Sequence, residues 1–181
     1  RTWEGPYALP GFGLQGVAAR TDYIVTDAQT CTLFLTGTKK DGKEGKVFCA
    51  RTNDGGQTFE FWSAVGPEPE DGHAIMPSSV RLSDGTWLVA VRRRDKKRAT
   101  IELFASTDDA KTWMHRATAV ENTGRGGNPP ALTLLPDGRL AIAYGYRDKP
   151  YGIRAVLSED AGRTWSDPII LRDDAGNHDI G

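Results

Sequence analysis

Short runs in which apolar and polar residues alternate dominate this chain of 181 residues, and turn signals separate them. Ser79-Val80-Arg81-Leu82 is followed by Ser83-Asp84-Gly85, and Ala131-Leu132-Thr133-Leu134-Leu135 by Pro136-Asp137-Gly138. Asp-Gly between alternating runs predicts a β-hairpin, because glycine supplies the positive φ of the turn. The returning strands are Thr86 to Val91 and Leu140 to Tyr144, and Thr32 to Thr36 reads as an earlier copy. A third strand follows, in which Val47, Cys49 and Arg51 align with Ile101, Leu103 and Ala105 and with Ile153, Ala155 and Leu157. The first two members of each set are apolar, as expected of a strand packed between sheets. No stretch shows a helical apolar period.

These runs recur with a fixed marker. Thr52-Asn53-Asp54-Gly55-Gly56-Gln57-Thr58-Phe59, Ser106-Thr107-Asp108-Asp109-Ala110-Lys111-Thr112-Trp113 and Ser158-Glu159-Asp160-Ala161-Gly162-Arg163-Thr164-Trp165 are three copies of one box. Arg1-Thr2-Trp3 reads as the end of a fourth. The aromatic ends at 3, 59, 113 and 165 are 56, 54 and 52 residues apart. A fourth strand is expected to start at each aromatic. Four-stranded meanders at this period are the blades of a β-propeller, so the fold expected is all-β. The repeats divide the chain into the end of a preceding blade (1–10), three blades (16–67, 72–120 and 124–172) and the start of another (176–181). Incomplete blades at both ends lead us to expect a piece of a longer ring.

Charge and cysteine content narrow the partners. A net charge of −1 gives no reason to expect nucleic acid or a membrane surface, and no apolar run approaches a membrane span. If the hairpin turns near Asp41-Gly42, Cys31 faces a residue near 53 rather than Cys49, so two free thiols are expected. Phosphate loops, zinc spacings and Ser-His-Asp motifs are absent, so neither a metal nor a cofactor is expected.

Meander topology sends the Asp-Gly hairpins and the boxes to one end of the sheets. The remaining loops lie at the other end, here called the top, where ligand sites concentrate on a rigid scaffold. Top-end candidates are Arg20 and Asp22 near the first inner strand, His73, Arg94, Arg125, Asn128, Arg147, and finally His178 and Asp179. Arg94 and Arg147 fall at one repeat position, 53 residues apart, with Lys39 or Lys40 there in the first blade. Cations repeated around a cavity mouth suggest an anionic ligand, since arginine can grip a carboxylate with two parallel hydrogen bonds.

The pattern Ser-x-Asp-x-Gly-x-Thr-Trp resembles the Asp-box, or BNR repeat, and the chain resembles part of a sialidase-like six-bladed propeller. That resemblance implies three arginines holding a sugar carboxylate, an Asp acid/base, and a Tyr nucleophile activated by a Glu. The family's Arg-Ile-Pro motif is absent, and no Tyr/Glu pair can be matched. Asp22 and Asp179 are the candidate acids by position. Repetition of the box in every blade assigns Asp54, Asp108 and Asp160 to turn structure. The function expected is an exo-acting glycoside hydrolase taking an acidic sugar at the top face. The alternative is a non-catalytic carbohydrate-binding or protein-interaction propeller. Open sheet faces would favour self-association, and the resemblance implies a secreted or periplasmic location.

Overall fold

The computed structural model describes residues 5–176, with the backbone alone at Ala19 and Arg20. Among these residues there are twelve strands and no helix. They are β1 (Val17–Val25), β2 (Cys31–Thr38), β3 (Glu44–Thr52), β4 (Glu60–Val65), β5 (His73–Arg81), β6 (Trp87–Arg94), β7 (Ala99–Ser106), β8 (Met114–Val120), β9 (Ala131–Leu134), β10 (Leu140–Tyr146), β11 (Gly152–Ser158) and β12 (Ile169–Arg172). They form three four-stranded antiparallel sheets, each a meander in chain order. The all-β, propeller-type fold read from the repeat is the fold observed. Residues 1–4 and 177–181, which fall in the partial blades expected from the repeat, lie outside the described residues.

The Asp-Gly hairpins form where the turn chemistry places them. Leu82 N–H donates to Thr86 O (2.8 Å) and Gly85 N–H to Leu82 O (3.0 Å), and Leu135 and Gly138 repeat the pair at the same distances. Gly85 and Gly138 take φ of 87° and 89°, a region open to glycine at no steric cost. The first sheet turns without glycine. There the Asp27 carboxylate accepts from the backbone N–H of Gln29 (2.8 Å) and Thr30 (2.9 Å).

Register confirms the strand-three alignment, because Phe34 lies opposite Cys49, Ala90 opposite Leu103 and Ala143 opposite Ala155. Cys31 pairs with Thr52, and both thiols are free. The fourth strand differs from expectation. It begins one residue after the aromatic in the first two sheets but at Ile169 in the third, four residues after Trp165. Ser166 instead exchanges hydrogen bonds with Leu157, and Pro168 has no N–H to give to a ladder. The inner strand β5 also starts earlier than expected, so His73 to Met76 belong to the strand rather than to the preceding loop.

Alternation along β6 hands successive side chains to opposite neighbours. Trp87, Val89 and Val91 pack with Phe34, Val47 and Cys49 of the first sheet. Leu88 and Ala90, with Ile101 and Leu103, pack against Leu140, Ile142 and Tyr144 of the third. The remaining face of the first sheet, around Leu35 and Phe48, is covered by Phe12 and Leu14. Burying such seams at ~25 cal/mol per Å² is the main force stacking the sheets.

The boxes act within each turn and across the seams. In each, the Ser or Thr hydroxyl donates to the Asp (Thr52 to Asp54, 2.7 Å; Ser106 to Asp108, 2.7 Å; Ser158 to Asp160, 2.9 Å). The same carboxylate accepts from the later Thr hydroxyl at 2.6–2.7 Å and from two backbone N–H groups. Hydrogen bonds to the charged form, led by that hydroxyl, hold all three carboxyls well below the usual range. The second and third boxes also reach back to the preceding sheet. Trp62 Nε1 donates to Asp109 O (3.0 Å), and Arg116 Nη1 donates to Ala161 O (3.0 Å) at the equivalent place.

Candidate functional site

The top end is organised by one loop laid between two hairpin tips. Thr123 N–H donates to Ala99 O (2.9 Å), and Arg147 N–H donates to Thr123 O (3.1 Å). This brings residues 121–127 between the β6–β7 tip and the β10–β11 tip. The approach is close enough that a Cβ on Gly124 would sit 2.6 Å from Asp148 N and 2.7 Å from Arg147 N. Gly124, Gly126 and Gly127 all have φ between 73° and 82°, a run that side chains would strain. The result is a polar cleft of about 420 Å³ with Arg94, Lys96, Lys97 and Arg98 on one wall and Arg125, Glu121 and Asp148 on the other.

Two of the acids nearby are engaged by backbone. Asp95 accepts from the N–H groups of Lys97 and Arg98, both at 2.7 Å, and the first of these bonds is the largest cause of its lowered pKa. Asp148 accepts from Arg125 N–H (3.2 Å). The cationic side chains therefore set the sign of the cleft. His73, opposite Arg94 in the β5–β6 register, registers the same field. Burial first, then Arg92, Arg94, Arg93 and Lys39, lower its pKa to about 4, so it is neutral near pH 7. Its Nε2 is buried with no hydrogen-bond partner among the described residues.

The structure brings together some sequence candidates and separates others. Arg94 and Arg125 line the same cleft. Arg147 Nη1 lies 3.8 Å from the position a Gly126 Cβ would take, on the neighbouring side of the loop. Asn128 is 2% exposed and donates from Nδ2 to Gly145 O (2.6 Å), which ties the loop to β10. Asp22 lies within β1 opposite Phe34, away from the tips that form the cleft. Its Oδ2 accepts from Ser79 N (2.6 Å) and Oγ (3.0 Å), and its Oδ1 from Tyr23 N (2.8 Å). The next seam repeats this tie, as Ser78 Oγ accepts from Leu132 N (3.0 Å). Arg20 lies in β1 where its register with β2 shifts, between Ala18 and Asp22. His178 and Asp179 lie outside the described residues.

Counting from Phe34, Ala90 and Ala143, the position of Arg94 and Arg147 is held in the first sheet by Thr38, not by a lysine. Lys39 is one residue beyond, nearly buried, with Nζ on Asp41 at 3.0 Å. Residue pattern alone also missed Arg92, which reaches over the seam to Gly126 O (2.6 Å) and Met76 Sδ (3.3 Å). The available signal was the run Arg92-Arg93-Arg94-Asp95-Lys96-Lys97-Arg98.

A second cleft, of about 280 Å³, opens between the first and second sheets. Arg93, Arg98, Glu102 and His115 border it over Val65, Val91 and Phe104. Glu102 accepts from Thr100 Oγ1 (2.7 Å) and Thr118 Oγ1 (2.9 Å) and pairs with His115 Nε2 (2.6 Å). Register places Phe48 and Arg154 at the same position in the other sheets, so the carboxylate belongs to this seam alone among the three.

A family model described as a BNR repeat-like domain matches residues 1–178. The chain belongs to the BNR repeat-like family. Among solved structures, a Dyadobacter fermentans protein of unknown function is similar with a TM-score of 0.79 at 23% identity, over 99% of this chain and 51% of that one. An α-L-arabinofuranosidase from Fusarium graminearum in complex with an iminosugar inhibitor gives a TM-score of 0.65 at 17% identity, over 82% of this chain and 46% of that one. A Hadza microbial sialidase gives a TM-score of 0.63 at 19% identity, over 84% and 33%. The chain of this BNR repeat-like protein thus spans about half the length of the first two. No curated protein sequence matches it.

Proposed function

We propose that this BNR repeat-like chain is part of a carbohydrate-active propeller that recognises an acidic sugar at its top end. The observation that carries this is the cleft between the 95–98 and 121–126 segments, where Arg94 and Arg125 converge and Arg147 flanks the shared glycine loop. Two guanidinium groups approaching from different elements suit a carboxylate, and Asn122, Glu121 and Asp148 offer partners for sugar hydroxyls. Similarity to an arabinofuranosidase and a sialidase supports a glycan ligand, and the fold supplies no more than that.

The first reading is a sialidase-like exo-glycoside hydrolase. The second, a binding propeller without turnover, is favoured by the employment of Asp22, whose three hydrogen bonds leave it tied to Ser79 and Tyr23 rather than to a reacting sugar. Incubation with fluorogenic sialosides and uronides, beside a glycan array, separates them. Release of the fluorophore, weakened by Arg125→Ala, is the outcome expected of a hydrolase. Array binding without release selects the second reading, and neither binding nor release of any acidic sugar removes both.

A further inference from the structure

The two clefts share a wall. Asp95 and Arg98 border both of them, so the β6–β7 tip is a ridge with a concavity on each side. The pleat sends Arg93 to the seam cleft and Arg94 to the top cleft, while Lys96 and Lys97 occupy the tip beside the top cleft. Arg94, Lys96, Lys97, Arg98 and Arg125 are all exposed. Six of the 23 Lys and Arg residues fall within the seven positions 92–98, in a chain whose net charge is −1.

Of the acids near this ridge, three are engaged or distant, and Glu121 and Asp148 stand on the other wall of the top cleft. Asp95 caps its own turn, Glu102 is satisfied by two hydroxyls and an imidazole, and Asp71 meets Lys96 only at 3.6 Å. An exposed contact of that kind is worth little. Corresponding tips in the other sheets carry less charge, with Lys39, Lys40 and Lys43 around Asp41 in one and Arg147 and Lys149 around Asp148 in the other.

We infer that the β6–β7 ridge binds a polyanionic glycan chain, with acidic groups on successive sugars, laid across the ridge from the top cleft to the seam cleft. This rests on the acidic-sugar reading and extends it from one terminal sugar to several. A run of exposed cations holding separate anions gains strength from their number, since each further anion binds at high local concentration. Carboxylates in the cleft walls, Glu121 and Asp148, can accept from the several hydroxyls of each sugar, donors that a DNA backbone lacks. Among the described residues, no aromatic side chain borders the top cleft to stack a nucleobase. A glycan chain is therefore favoured over nucleic acid or an anionic lipid surface.

The test titrates the protein with galacturonate monomer, dimer, tetramer and hexamer, and with sulfated oligosaccharides of the same lengths, by calorimetry at several salt concentrations. The hexamer of at least one series should bind ~10-fold or more tightly than its monomer. Its affinity should fall with salt as expected for about three or more paired ions. Whichever series gains with length identifies carboxylate or sulfate as the recognised anion. The combined variant Lys96→Ser, Lys97→Ser, Arg98→Ser, checked for an unchanged Tm, should bring the ratio of hexamer to monomer affinity down towards one. Monomer and hexamer binding equally would overturn the ridge inference and leave the acidic-sugar reading standing. Duplex DNA or anionic vesicles binding as tightly as the hexamer would overturn it too, and no binding by any acidic sugar would remove both.

Discussion

Arg51 grips Asp109 with two hydrogen bonds, 2.5 Å from Nη1 to Oδ2 and 3.0 Å from Nη2 to Oδ1, across the seam between the first and second sheets. Arg51 is 4% exposed, in the slot that Ala105 and Leu157 fill in the other sheets. Thr32 Oγ1 accepts from its Nε (3.0 Å), and the guanidinium lies 4.2 Å from the centre of the Trp62 ring. Its charge is thus compensated from three sides, while the Asp109 side chain keeps half its exposure. Removing the exposed partner should do more harm than removing the buried one. Asp109→Ala strands a buried cation and should cost about 1–3 kcal/mol, short of a fully buried pair. Arg51→Met keeps the packing and returns Asp109 to water, so it should cost less. Urea unfolding of the two variants checks the order, and a larger loss for Arg51→Met contradicts the account.

Acid should unfold the protein through its boxes. Asp54, Asp108, Asp160 and Asp109 all have folded pKa values below the unfolded one, the boxes through hydrogen bonds and Asp109 chiefly through Arg51. The unfolded chain then binds more protons in acid, and the stabilisation, complete above the unfolded carboxylate pKa of about 4, is lost as pH falls through the folded values. Thr112→Val removes the hydroxyl that contributes most at Asp108. Its urea midpoint should depend less on pH below about 4 than that of the parent. An unchanged slope counts against the box as the acid-labile element.

His73 adds a milder dependence at higher pH. With its folded pKa lowered to about 4 and an unfolded value of about 6.5, it binds protons preferentially when unfolded. Stability should therefore decline as pH falls between those values. Titration of the His73 C2–H resonance tests this directly, because a midpoint near 6.5 would mean that burial and the four cations do not act on it.

Asp22 offers a cleaner separation of structure from chemistry. Asp22→Ala should cost about 1–3 kcal/mol through the lost bonds to Ser79 and Tyr23. In a double-mutant cycle its effect should couple to that of Ser79→Ala. If glycoside turnover is found, Asp22→Ala should change it no more than the loss of folded protein explains. A selective fall in kcat at full folding would return Asp22 to the list of acids.

Residue pattern revealed the elements whose instructions are local. The boxes, the Asp-Gly turns and the apolar slots of strand three each signal within a few residues, and repetition multiplied the signal. What escaped depends on the neighbouring sheet. Arg51 in an apolar slot makes sense only beside Asp109, 58 residues later, and Asp22 only beside Ser79. Asn128 has the composition of a ligand residue, yet its carbonyl partner lies on a strand packed beneath it. The late start of β12 followed from Pro168, which was visible, but the Ser166–Leu157 exchange that takes its place was not.

The alternation along β6 has a consequence at the surface. The same pleat that sends Val89 to one seam and Ala90 to the other also deals Arg93 and Arg94 to separate clefts. Inserting one residue between Val91 and Arg92 would leave the core in place and exchange the sides of those two guanidinium groups. Charge delivery at the top is therefore phased by the hydrophobic packing underneath, and a register slip of the whole strand would move both together.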